Sequence, residues 1–145
     1  MKKIRTEIEI NATAERVWQV LTDFTAFPDW NPFIQQVKGQ VEVGEQLEVF
    51  LQPPDGRGMT FKPKVVTAEP NREFRWRGRL WIPGLFDGEH AFIIEPLGEN
   101  RVRFEQGEAF GGILVPLLAF MGLFIKTEQG FQEMNQALKA PAEAR

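Results

Sequence analysis

The sequence predicts an α+β domain. A curved, seven-stranded antiparallel sheet lies around one long C-terminal helix, with two short helices between the first and second strands. Three observations carry this. Segments that alternate polar and apolar residues follow one another with only short turns between them, the pattern of an antiparallel meander. The last part of the chain changes to a helical period, with Leu117, Phe120, Phe124, Phe131, Met134 and Leu138 spaced by three, four or seven residues. The 145 residues include thirteen Phe and four Trp but no Tyr, which implies an aromatic interior without phenol hydroxyls. The length suits a single domain, 1–145.

Lys3 to Ile10 alternates Ile4, Thr6, Ile8 and Ile10 with Arg5, Glu7 and Glu9, a half-buried strand. Thr13 is placed to cap a short helix over Ala14 to Thr22, whose apolar side carries Val17, Trp18 and Leu21. Phe24 to Trp30 reads as a second short helix or turn, stopped by Pro32. Strands follow over Phe33 to Val43 and Glu45 to Leu51. Pro53-Pro54-Asp55-Gly56 is a turn, and Met59 to Ala68 is the next strand, with Pro63 marking an edge or bulge. Glu73 to Trp81 alternates Phe74, Trp76, Gly78 and Leu80 with Arg75, Arg77 and Arg79. Glu89 to Pro96 and Arg101 to Phe110 form a last hairpin closed by Gly98-Glu99-Asn100. The final helix runs from Gly112 to about Leu138 with Pro116 in its first turn, and 140–145 is expected to fray.

Strand parity sorts the side chains into two faces. Counting from the Gly98–Asn100 turn pairs Ile94 with Phe104, Phe92 with Gln106 and His90 with Glu108. Centring the preceding turn on Pro83-Gly84 sets Trp76 near Phe92 and Gly78 near His90. The inward face is then apolar except at one end, where His90, Gln106 and Glu108 meet. Glu95 and Glu105 have the opposite parity and face solvent, as do Arg75, Arg77 and Arg79. That basic strip reads as a solvated strand face balanced by Glu rather than as an anion-binding surface.

Several segments together resemble the START-related (SRPBCC) superfamily, and within it the polyketide cyclase/dehydrase and lipid-transport-like branch. They are Ile10 to Asp23, with Ala12, Val17-Trp18 and Leu21-Thr22-Asp23; Phe27-Pro28-Asp29-Trp30-Asn31-Pro32; Leu85-Phe86-Asp87-Gly88-Glu89-His90; and the apolar closing helix. The resemblance spans essentially the whole chain. It implies a helix-grip fold, with a cavity between sheet and C-terminal helix for a lipid, sterol, polyketide or other hydrophobic molecule.

Trp30, Trp76, Phe92, Phe104, Gln106, Phe110, Phe120 and Phe124 are the candidate ligand-binding residues. His90 and Glu108 are the candidate catalytic pair: a carboxylate beside an imidazole orients it as a general base or binds a ligand hydroxyl or carbonyl. A buried pair that only satisfies itself is the competing reading. Asn31 is a further polar candidate beside Trp30. The stretch Ile113 to Ile125 is too short and too interrupted to span a membrane, and offers a cavity wall, a homodimer contact or a transient membrane contact.

Composition excludes much else. The net charge of −3 argues against a general nucleic-acid binder. With one His and no Cys, no metal site or cofactor is expected. There is no Ser for a serine triad, and Gly56-Arg57-Gly58 lacks the lysine and spacing of a phosphate-binding loop. The N-terminus has no apolar core of a signal peptide, so a cytoplasmic location is expected. The functional expectation is a protein that binds a hydrophobic or aromatic small molecule, lipid- or polyketide-like, in a cavity between its sheet and C-terminal helix. The alternatives are a cyclase/dehydratase using His90 and Glu108, and a protein-interaction module similar to heat-shock ATPase activator relatives.

Overall fold

The computed structural model describes residues 1–54, 56–80 and 84–144. β1 (Lys2–Ile10) buries Ile4, Thr6 and Ile10 and exposes the charged residues between them. Thr13 caps α1 (Ala14–Thr22), its Oγ1 accepting the Arg16 N–H at 3.0 Å. A 3-10 turn over Phe24–Ala26 leads into α2 (Phe27–Trp30).

β2 (Ile34–Lys38), β3 (Glu48–Leu51) and β4 (Met59–Phe61) form a three-stranded antiparallel sheet. β5 (Lys64–Glu69), β6 (Glu73–Leu80), β7 (Phe86–Gly98) and β8 (Arg101–Gly111) join β1 in a five-stranded antiparallel sheet of order β1-β8-β7-β6-β5. The single seven-stranded sheet is thus replaced by two sheets of five and three strands among the described residues. The division falls at Pro63, inside the stretch that reads as one strand. Proline has no N–H with which to continue a ladder. The sheets stay joined beside the cut: Leu47 N–H donates to the Pro63 carbonyl at 2.8 Å, and Val65 N–H to the Glu45 carbonyl at 2.9 Å.

The last hairpin has the expected register, with Ile94 opposite Phe104, Phe92 opposite Gln106 and His90 opposite Glu108. Between β6 and β7 the partners are Trp76 with His90 and Gly78 with Gly88. That is two residues from the expected Trp76–Phe92 pairing, because the connection from Leu80 to Phe86 is centred one residue earlier. Moving a turn's centre by one moves the pairing by two, so every side chain keeps its face. Trp81 to Pro83 lie outside the described residues.

The closing helix is two helices, α3 (Val115–Phe120) and α4 (Leu123–Glu143). Gly122 separates them at φ +81°, a left-handed conformation that glycine adopts without steric penalty. α4 buries Phe124, Phe131, Met134, Asn135 and Leu138, and lies across β1 and β8. Gly130 makes a close approach possible: a Cβ there would overlap the Phe33 ring. The C-terminal segment is docked rather than frayed. Ala142 is buried, Arg16 Nη2 donates to the Pro141 carbonyl at 2.9 Å, and Glu143 Oε2 accepts the Asn11 N–H at 2.8 Å.

Candidate functional site

Side-chain size along β6 and β7 creates a hollow on the inner face of the larger sheet. Gly78 and Gly88 sit opposite each other in neighbouring strands, where larger residues would fill the space. Trp76, Phe86, His90 and Phe110 surround this trough. Leu51, Pro53, Met59 and Phe61, from the β3–β4 hairpin, and Phe33 make one wall. Leu118 of α3 and Leu123, Thr127 and Phe131 of α4 cover it. The result is a partly open pocket of about 230 Å³, apolar except for the His90–Glu108 edge, Thr127, and Arg79.

His90 is 2% exposed. Its ring stacks on Phe92 with centroids 4.5 Å apart, and is tilted against Phe131 at 4.8 Å and Trp76 at 5.1 Å. Nδ1 stands 3.4 Å from Glu108 Oε1, and Nε2 stands 2.9 Å from Gln106 Oε1. Glu108 is only partly buried, and its carboxylate lies over Gly88, where a Cβ would collide with Oε2. The pair thus sets hydrogen-bonding groups at the edge of a mostly apolar space.

Of the candidate residues, Trp76, His90, Glu108 and Phe110 line the pocket. Gln106 is fully buried behind His90. Phe92 and Phe104 lie in the core beneath the lining, with ring centroids 6.2 Å apart. Phe124 buttresses the lining from behind, 4.8 Å from Phe110 and 6.4 Å from Phe86. Trp30 packs on Phe27 at 5.2 Å and does not reach the pocket. Asn31 Oδ1 is used by the backbone, accepting the N–H groups of Phe33 and Ile34 at 3.0 and 2.8 Å. Phe120 is 90% exposed, since the break at Gly122 takes α3 out of phase with α4. Leu118 and Leu123 face the pocket in its place.

The sequence reading did not single out Phe61, Phe86, Thr127 or Phe131 as lining residues, nor Thr6 and Asn135. Asn135 carried a signal: it is the one polar residue at an inward position of the stripe Phe131, Met134, Asn135, Leu138. Thr6 likewise interrupts the apolar inner face of β1. Two arginines of the basic strip are paired on the surface: Arg75 meets Glu73 and Glu89, and Arg77 meets Glu89 at 2.9 Å. Arg79, expected to face solvent with them, is exposed but also borders the pocket. Glu105 pairs with Arg5 at 2.7 Å and Glu95 with Arg103 at 3.3 Å.

An antiparallel sheet against a long C-terminal helix is a fold that the chain shares with solved aromatase/cyclase and START superfamily structures. The chain belongs to the family described as polyketide cyclase / dehydrase and lipid transport, whose profile matches residues 1–143. No curated protein matches the chain significantly. Among solved structures, the Zhui aromatase/cyclase from Streptomyces sp. R1128 superposes with a TM-score of 0.79 at 19% identity, covering 98% of this chain and 93% of that one. A START superfamily protein from Mycobacterium smegmatis gives 0.71 at 22% identity, with 97% of each chain covered. Norcoclaurine synthase from Thalictrum flavum, in complex with dopamine and hydroxybenzaldehyde, gives 0.70 at 16% identity, covering 95% and 84%. At these identities the likeness is one of fold. No helix among the described residues is long and apolar enough to cross a membrane.

Proposed function

We propose that this chain binds a small aromatic molecule of one or two rings in the pocket between its larger sheet and α3–α4. The observation that carries this is a pocket walled mostly by aromatic and aliphatic side chains, with polar groups at His90, Glu108, Thr127 and Arg79. Size supports the narrower class. An apolar cavity of about 150 Å³ accommodates benzene, so about 230 Å³ suits one or two rings better than a diacyl lipid or a tetracyclic polyketide. The norcoclaurine synthase neighbour, whose bound ligands are single-ring aromatics, is consistent with that size class. Trp76 lines the pocket and reports occupancy. Titration with 2-naphthol is expected to quench tryptophan fluorescence saturably at one site per chain, and Leu118→Trp, which fills the pocket, to abolish that binding. Unchanged binding by the Leu118→Trp variant would move the ligand elsewhere.

The placement of His90 Nδ1 and Glu108 Oε1 at the pocket edge favours a second reading, proton-transfer catalysis of the cyclase/dehydratase kind. A base beside an aromatic cage abstracts a proton α to a carbonyl; the enolate so formed either expels a β-hydroxyl, which takes that proton and leaves as water, or forms a carbon–carbon bond to a second carbonyl, whose oxygen takes the proton. The bicyclic ketone 2-tetralone tests it without knowledge of the substrate. Deuterium exchange at its α-carbon is expected to accelerate with the wild-type chain and to fall to the uncatalysed rate with His90→Gln. Equal exchange by both would leave a binding protein.

A further inference from the structure

His90 is held by a chain of buried polar groups that runs away from the pocket. Nε2 meets Gln106 Oε1 at 2.9 Å. Gln106 Nε2 donates to Asn135 Oδ1 at 2.8 Å and approaches the Phe131 carbonyl at 3.5 Å. Asn135 Nδ2 donates to Thr6 Oγ1 at 2.8 Å, and Thr6 Oγ1 donates to the Gln106 backbone carbonyl at 2.8 Å. Thr6, Gln106 and Asn135 are each buried, where polar groups are held by hydrogen-bond partners such as these.

The direction of this chain is fixed at its far end. A backbone carbonyl only accepts, so the Thr6 hydroxyl hydrogen goes to the Gln106 carbonyl. Thr6 Oγ1 must then accept, which assigns Nδ2 of Asn135 to it and leaves Oδ1 facing Gln106. Gln106 must donate through Nε2, which leaves Oε1 facing His90. Reversing both amides would set the Gln106 oxygen against the Phe131 carbonyl and leave two oxygens 2.8 Å apart, at Thr6 and the Gln106 carbonyl, with no hydrogen between them. His90 Nε2 must therefore carry the proton.

We infer that Thr6, Asn135 and Gln106 are positioning residues that lock His90 as its Nε2–H tautomer, leaving Nδ1, beside Glu108 at the pocket edge, as the nitrogen that accepts a proton. The lock stands on the buried network alone. Its consequence for ligands rests on the proposed function. Nδ1 and the Glu108 carboxylate form a hydrogen-bond-accepting edge, which favours aromatic molecules that turn an O–H or N–H donor towards it, while Arg79 and Thr127 are the donors of the same lining. Other neighbours of the ring are the side chains of Trp76, Phe92 and Phe131, which have no group to titrate.

The chain has one histidine, so its side-chain nitrogens are assigned without ambiguity. Long-range proton–nitrogen correlation NMR of the ¹⁵N-labelled, ligand-free protein at about pH 9, well above the ordinary imidazole range of about 6.5, reads the tautomer directly. The expected result is a protonated-type Nε2 and a pyridine-type Nδ1, with Gln106→Leu giving a mixed or reversed pattern. A pyridine-type Nε2 in the wild type, or two protonated nitrogens persisting at that pH, would overturn the lock. Adding 2-naphthol or 2-methoxynaphthalene to the same sample tests the edge separately. The donor-bearing naphthol is expected to bind about ten- to a hundredfold more tightly. Equal affinities would overturn the accepting edge but not the lock; binding of neither would overturn the edge together with the proposed function.

Discussion

At the scale of single residues, the pocket depends as much on absent side chains as on present ones. Gly88 gives the Glu108 carboxylate its place beside His90. Gly88→Ala is expected to push that carboxylate aside and weaken 2-naphthol binding about tenfold. The Glu108 side chain is partly exposed and can swing outward, so the melting temperature should move by only a few degrees. A large loss of stability with unchanged binding would show that Gly88 serves the fold instead. Gly130 is the opposite case. Its missing Cβ admits the Phe33 ring into the core, and Gly130→Ala should cost about 1–3 kcal/mol in denaturant unfolding. The His90–Glu108 pairing was legible from parity alone, because both residues lie on strands joined by a short turn. Asn135 was not joined to them, since its contact with Gln106 links residues 29 apart through a helix whose rotation no strand count fixes.

At the scale of elements, strands joined by tight turns were readable and longer connections were not. α1 matches its expected range, because a Thr cap and an apolar stripe define both its start and its buried side. Pro63 was visible as an irregularity, but not as the seam between two sheets, since alternation continues across it. Gly122 misled in the same way: the apolar spacing runs through it while the backbone does not. The consequence is testable by substitution at two positions of one sequence stripe. Leu138, fully buried, should cost about 2–5 kcal/mol when changed to Ala. Phe120, 90% exposed, should cost less than about 0.5 kcal/mol. Similar costs for both would restore a continuous helix.

At the scale of the whole molecule, one core runs from the insert through the sheet to α4. Its end is held to the N-terminal third by Arg16, Asn11 and buried Ala142. Removing 140–145 is therefore expected to lower the melting temperature by several degrees, a shift that a frayed tail would not produce. The composition foretold an apolar, aromatic interior, and most of the Phe residues lie in the core or the pocket wall, with Phe120 exposed. It did not foretell the pocket's size, which is set by Gly78, Gly88 and the distance at which α3 and the β3–β4 hairpin close over them. Those distances belong to tertiary packing, beyond the reach of strand or helix periodicity.

The central claim is that a small aromatic molecule sits against His90 beneath α3 and α4. Chemical-shift mapping of 2-naphthol binding tests it most directly. The account predicts saturable one-to-one binding, with the largest changes at the His90 ring and at the side chains of Leu118, Leu123 and Phe131. Changes centred on the outer surface, or none that saturate while the protein remains folded, would contradict it.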